Sequence, residues 1–326
     1  MTVVWKANQN SLNRTVAIRI LRPEFAANPA EVQEFLTEGR TIAKLKHPGI
    51  LQVYDVLQQD GTCFFVVEYV ADSTLAMRLT ELGKIPVKTA LKIAFKTADA
   101  LGYAWRTSHL IHPNIKPENI YIDFDDTVKM AFFGLSKIVS PVVKPGTEES
   151  RTIAGTPYYM SPEQAQCLPQ IDCRSDMYAL GTLLYHMITG HIPFGEMDPM
   201  AAAHSQVSGY LAHPRDIDPG IPQNVANLVV RLMIKDPKDR PKNWEEVGQD
   251  LQKLLAGQLV LKKPDPNMVS TVAPEAREVA AAAAAPQPGI AARVPGTPAW
   301  VQLPAWAAIL FWWYLVAQFM LDYWAQ

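Results

Sequence analysis

The sequence predicts an α+β domain over residues 1–256, then a Pro/Ala-rich linker at 257–303 and a candidate transmembrane helix at 304–323. Three observations carry this reading. Val66-Val67-Glu68-Tyr69-Val70 closes an apolar run of β-branched and aromatic residues, the composition of a strand. Phe35, Ile42 and Leu45 put one apolar stripe on a helix that also carries Glu34 and Glu38. From Gly257 the character changes: Pro264, Pro266, Pro274, Pro286, Pro288, Pro295 and Pro298 punctuate an alanine-rich stretch, as in a flexible linker.

Composition excludes several classes of function. With 30 Lys+Arg against 32 Asp+Glu the formal net charge is −2, and no basic stripe interleaved with aromatics occurs, so no nucleic-acid partner is expected. Cys63, Cys167 and Cys173 have neither even-count pairing nor C-x-x-C spacing, which fits a reducing compartment. No signal peptide is expected at the start. Ala305 to Leu321 runs without a charged residue, at the short end of what a bilayer core needs. Trp300, Trp306, Tyr323 and Trp324 flank it, Lys262, Lys263, Arg277 and Arg293 precede it, and no Lys or Arg follows. This pattern predicts a single-pass protein of the cell membrane with residues 1–256 on the cytoplasmic side. The competing reading is an interfacial or packing helix.

The informative motifs fall in a fixed order. They are Met1-Thr2-Val3-Val4-Trp5-Lys6-Ala7, Val16-Ala17-Ile18-Arg19, Glu34-Phe35-Leu36-Thr37-Glu38, Val66 to Val70, and His112-Pro113-Asn114-Ile115-Lys116-Pro117-Glu118-Asn119. After these come Phe132-Phe133-Gly134, Gly155-Thr156-Pro157-Tyr158-Tyr159-Met160-Ser161-Pro162-Glu163, Ser175-Asp176-Met177-Tyr178 and Asp239-Arg240-Pro241. In order and spacing the set resembles the bacterial, eukaryotic-like (Hanks-type) Ser/Thr protein kinases over residues 1–256. The resemblance implies a bilobal protein-kinase fold, with an N-lobe at 1–70 and a C-lobe at 71–256. The opening residues resemble G-G-M-G-T-V-Y-K-A with Met1 on its methionine and Thr2 on its last glycine. That register implies an N-lobe lacking the family's first strand, through either a shortened gene or a start read too far downstream.

Departures from the family pattern fall on the chemistry. The catalytic loop H-R-D-x-K-P-x-N has Asn114 where the family's aspartate orients the substrate hydroxyl and accepts its proton, and an amide takes no proton near neutral pH. Arg19 stands for the phosphate-contacting lysine, and a planar fork is not equivalent to a point charge. Phe132 stands for the aspartate of Asp-Phe-Gly and offers a metal no oxygen. Lys116 and Asn119 remain as a phosphate contact and a residual metal ligand. No Mg²⁺ is therefore expected, and two readings of the pocket stay open: ATP bound without metal, or a Tyr121 phenol that fills the adenine position itself. Val4, Ala17, Val67, Glu68, Val70 and Tyr121 match the nucleotide pocket, with Val67 as gatekeeper and the Tyr121 phenol beneath the base. Thr152 and Thr156 match regulatory positions of the activation segment, although Pro113 replaces the arginine that would read a phosphate there.

Scaffold positions keep the family's residue types. Glu38 matches the helix carboxylate that pairs with the phosphate-contacting residue, here Arg19. Ile42, Val53, His112 and Phe133 match a stacked internal spine anchored by Asp176, and Glu163 with Arg240 matches a buried pair of the C-lobe. The resemblance, taken with these departures, implies a membrane-tethered pseudokinase acting as a signalling scaffold or as an allosteric partner of an active kinase. The alternative is a residual or unorthodox ATP-dependent Ser/Thr protein kinase.

Overall fold

The computed structural model describes residues 2–71, 73–112, 114–131, 157–168 and 171–258. The N-lobe opens with strands β1 (Thr2–Gln9) and β2 (Arg14–Leu21), antiparallel, in a register that sets Val4 opposite Arg19 and Lys6 opposite Ala17. A short helix, α1 (Pro23–Ala26), leads into α2 (Pro29–Ile42). The start of α2 is fixed by Asn28, whose Oδ1 accepts from the Ala30 N–H, and by Pro29 in the first turn. Leu45, assigned to this helix from its spacing, falls beyond its end and is buried in the turn that follows.

Strands β3 (Val53–Gln59) and β4 (Thr62–Glu68) are joined through Asp60 and Gly61, both at positive φ, the geometry that an Asp-Gly hairpin turn supplies. Among the described residues this sheet has four strands in the order β1-β2-β4-β3. Helix α2 packs on it through Phe35, whose ring stacks on Phe65 with centroids 4.0 Å apart. Gly39 is required there, because a Cβ would overlap the Phe65 ring.

The C-lobe begins with β5 (Ser73–Thr74), α3 (Leu75–Leu82) and the long α4 (Val87–Ser108). Strands β6 (Ile120–Ile122) and β7 (Val128–Met130) complete a second sheet, β5-β6-β7. The two lobes meet where the Leu51 N–H donates to Met130 O at 2.9 Å. After α5 (Pro162–Ala165), the chain enters α6 (Cys173–Thr189), which is buried on nearly every face, as expected for the central helix of a large core. Around it lie α7 (Pro199–Ser208), α8 (Pro214–Ile217), α9 (Gln223–Leu232) and α10 (Trp244–Leu255).

The domain expected to end at 256 thus has its last described helix ending at Leu255. The candidate transmembrane helix and all but the first two residues of the linker lie outside the described residues, as do Pro113, Phe132, Phe133, Thr152 and Thr156. Among the described residues no helix is long and apolar enough to cross a membrane.

One buried contact gives the fold a measurable pH dependence. On α6, His186 Nδ1 lies 2.8 Å from the Tyr159 hydroxyl, and burial pushes its imidazole pKa down to about 4. A histidine whose folded pKa is depressed contributes stability that is complete above its unfolded pKa of 6.5 and is lost as pH falls from there towards 4. Allowing for its partial exposure, the loss at pH 5 relative to pH 7 is about 1–2 kcal/mol. His186→Gln should flatten this slope in urea denaturation at the two pH values. An unchanged slope would mean that another group carries it.

Candidate nucleotide cleft and catalytic loop

Between the lobes lies a cleft of about 280 Å³, lined among others by Thr2, Val4, Lys6, Ala17, Arg19, Val67, Glu68, Val70, Asn119 and Tyr121. Strand pleat explains its roof. Thr2, Val4 and Lys6 alternate onto one face of β1, and the register of β2 with β4 sets Ala17 opposite Val67. Val67 is buried, and Val53 of β3 pairs with it from the other side.

Arg19 is held on several sides. Its Nε donates to Thr2 Oγ1 at 3.0 Å. Burial lowers its pKa, while the charge of Glu38 and the Tyr121 hydroxyl oppose that shift. Glu38 is itself 6% exposed on the inner face of α2. Tyr121 is half-buried on the floor of the cleft, and burial raises the pKa of its phenol. The cleft therefore contains a guanidinium, a carboxylate and a phenol close enough to influence one another. The motifs place Arg19, Glu38 and Tyr121 in this region but do not announce Thr2 as a side-chain partner of Arg19. The one available signal is a hydroxyl residue at the start of a strand that pairs with the one bearing Arg19.

The hinge carries a second feature that no motif announces. Lys129 on β7 donates to Glu68, with Nζ 2.9 Å from Oε1, and Glu68 Oε2 accepts from the Gln52 N–H at 3.3 Å. This partly buried pair fastens the end of β4 to the C-lobe. Lys6 lies over the Tyr69 ring, 4.7 Å from its centroid.

The catalytic loop is braced without a carboxylate at its centre. The His112 N–H donates to both Asp176 carboxylate oxygens, at 3.1 and 2.9 Å. The Asn114 N–H donates to His112 Nδ1 at 3.1 Å, so Nδ1 is unprotonated and Nε2–H donates to Ala131 O at 2.9 Å. Burial pushes His112 down to about 4, consistent with a neutral ring, and holds Asp176 well above the usual carboxylate range. Asn119 Nδ2 donates to Asn114 O at 2.7 Å, and Asn119 O accepts from the Ala131 N–H at 2.9 Å. Lys116 lies between them in sequence, immediately before the short helical turn Pro117–Asn119. Of the spine positions, Ile42, Val53, His112 and Asp176 are all buried.

Glu163 and Arg240 form a buried bidentate pair at 2.6 and 2.9 Å. Arg240 also donates to the carbonyls of Ile234, Arg174 and Lys235, so each of its five N–H groups has an acceptor. The Ser175 hydroxyl completes the cage by donating to Glu163 Oε1 at 2.5 Å. Burial alone would raise the Glu163 pKa, but the hydrogen bonds and charge of Arg240, with Ser175, outweigh it and hold the pKa below its ordinary value.

Comparison with known proteins gives the same architecture. The protein kinase domain model matches residues 1–251. A probable serine/threonine-protein kinase of Clostridium perfringens is 35% identical over 268 residues, which is 82% of this chain and 37% of that protein. The serine/threonine-protein kinase PrkC of Bacillus subtilis is 31% identical over 252 residues, 77% of this chain and 38% of its own length. The chain thus matches well under half the length of these relatives. Among solved structures, a mutant form of the kinase domain of Mycobacterium tuberculosis PknI superposes with a TM-score of 0.60 at 24% identity, covering 79% of this chain and 91% of that one. Proteins of this family use ATP, typically with Mg²⁺. By its motifs, its two-lobed fold and these matches, the chain belongs to the Hanks-type bacterial serine/threonine protein kinase family.

Proposed function

We propose that the chain is a membrane-tethered pseudokinase whose kinase-like domain works by binding, as a signalling scaffold or as an allosteric partner of an active kinase. The observation that carries this reading is Asn114, an amide at the base position of a loop otherwise braced by hydrogen bonds from its neighbours. A loop that keeps its frame and lacks its base can hold a shape but cannot take a proton from a hydroxyl.

The donor set does not fit Mg²⁺. Asn119 has its amide nitrogen committed to Asn114 O and offers the metal one neutral oxygen, while the residue at the companion ligand position is Phe132. Adenine fits better, since Val4 and Ala17 can cover it and the hinge backbone at Glu68 and Val70 can meet its edge. The Tyr121 phenol narrows the floor. Nucleotide should therefore bind weakly and without metal.

Thermal melts of the full chain, titrated with ATP and with ATP plus Mg²⁺, test this. A ligand at 100 times its dissociation constant stabilises by about 2.7 kcal/mol. Any rise in Tm should be the same with and without Mg²⁺, and a rise that requires Mg²⁺ would overturn the reading. For the tether, deleting residues 304–323 should move the protein from the membrane fraction to the soluble fraction; retention on the membrane would rule this helix out as the anchor.

A second reading, an unorthodox phosphotransferase, is favoured by the guanidinium of Arg19 in the cleft lining and by Lys116, which lies three residues before the lining residue Asn119 in sequence. It requires phosphate transfer that Lys116→Ala abolishes. The scaffold reading requires unchanged partner binding in the same variant.

A further inference from the structure

A second cavity lies in the C-lobe, away from the nucleotide cleft, with a volume of about 450 Å³. The end of α6 forms one wall with Tyr185 and His186, the 190–197 loop forms another, and Tyr210, Leu211, Ala212 and Ile217 close it. Its size and its aromatic and aliphatic walls with a few polar groups are those of a small-molecule pocket. One wall is strained: Phe194 is held at φ 60, a conformation that a bulky residue adopts only when its surroundings impose it.

The chemistry of the walls selects the ligand. Among the described residues no lysine or arginine lines the cavity, and Glu196 is the one lining residue with a formal charge at neutral pH. Lys235, with Nζ 5.2 Å from the Phe194 ring centroid, is bonded to Ser205 O and Gln206 O and is not part of the lining. His186 is a neutral imidazole at physiological pH. An anion entering here would be desolvated with no partner of opposite charge, whereas an aromatic ring would meet Phe194, Tyr185 and Tyr210.

Two hydrogen bonds tie the cavity walls to the turn Pro157–Tyr159, which leads into Ser161 and Glu163. The Tyr159 hydroxyl meets His186 Nδ1 at 2.8 Å, and the Tyr158 hydroxyl donates to Met197 O at 3.1 Å. Gln206 of α7 adds a hold on the same turn, its Nε2 donating to Tyr158 O at 2.7 Å. A ligand that shifts His186 or Met197 must therefore alter what holds consecutive tyrosines of this turn.

We propose that this C-lobe cavity is a binding site for a compact, uncharged aromatic small molecule, and that the turn Pro157–Tyr159 senses its occupancy. The proposal concerns binding alone and stands whether or not the domain transfers phosphate.

The test uses the full chain with labelled Ile, Leu and Val methyls, titrated with 4-fluorophenol and separately with 4-fluorobenzoate. Saturable shifts are expected at Ile192, Leu211 and Ile217, with the benzoate at least about tenfold weaker because its charge is unmatched. Amide exchange at Tyr158 and Tyr159 should change on saturation with the phenol. Ala212→Trp, which fills the cavity, should abolish the shifts in a protein that still melts cooperatively; if that variant does not fold, the methyl map decides by itself. Shifts at Val4 and Val67 instead, a response that never saturates, or equal binding of the benzoate would each overturn the site. Saturable binding with unchanged exchange at Tyr158 and Tyr159 would overturn the coupling.

Discussion

Replacing Arg240 by alanine is expected to cost about 3–5 kcal/mol, the range for removing one partner of a buried ion pair. The residue is 3% exposed, and its side chain satisfies Glu163 through two bonds and three backbone carbonyls through the rest. Its removal strands a buried carboxylate and several carbonyls together. Since a domain's whole stability is about 5–15 kcal/mol, the loss is a large fraction of it. Arg240→Lys should rescue little, because an ammonium cannot reproduce a five-donor planar fork.

The same pair sets an acid limit. Glu163 has a depressed folded pKa, so its contribution is complete above the ordinary value of 4.5 and is lost as pH falls from there through the folded pKa. Urea denaturation at pH 7 of the wild type and the two variants measures the main effect. A loss below about 1 kcal/mol, typical of an exposed pair, would show that the cage is not what holds the C-lobe.

Phosphate transfer from ATP to protein hydroxyls is expected to remain at background. A general base alone is worth about 10²–10⁴ in rate, and the metal position lacks its carboxylate as well. Because such groups act as a unit, their effects are not additive and restoring one should recover almost nothing. Asn114→Asp by itself should therefore stay within about tenfold of background. The combined Arg19→Lys, Asn114→Asp and Phe132→Asp variant is the one that tests whether the remaining frame is competent. Radiolabelled transfer to a generic protein substrate provides the readout. Wild-type turnover in the usual kinase range of about 1–100 s⁻¹, abolished by Lys116→Ala, would exclude the pseudokinase reading.

The Arg19 step of that combined variant is the least simple. Arg19 donates to Thr2 and feels Glu38 and Tyr121, so a lysine there gives up the fork that reaches the β1 edge. The substitution that restores the family's residue type thus also loosens the roof of the cleft.

By itself the sequence determined the residue types at the chemical positions: an amide at 114, a guanidinium at 19 and an aromatic ring at 132. These are local facts, read from short motifs. It also determined the course of α2 up to a turn's error, because side chains on one helical face recur every three to four residues whatever they pack against. The misplacement of Leu45 shows the limit of that argument, since burial continues past the last helical residue when the following turn is packed into the same core. The strand ending at Glu68 was legible from its β-branched composition, but its partner was not.

Where no motif match pairs two residues, as it does Glu163 with Arg240, tertiary structure alone decided the contacts between distant ones. Lys129 meets Glu68 across 61 residues, Tyr159 meets His186 across 27, and Thr2 meets Arg19 only through strand register. None of these has a local signature, because which two surfaces meet is set by the packing of whole elements and not by spacing along the chain. The C-lobe cavity is the extreme case. Its walls come from the end of α6, two separate loops and Ile217 of α8, so it exists only after α6, α7 and α8 have been placed around one another.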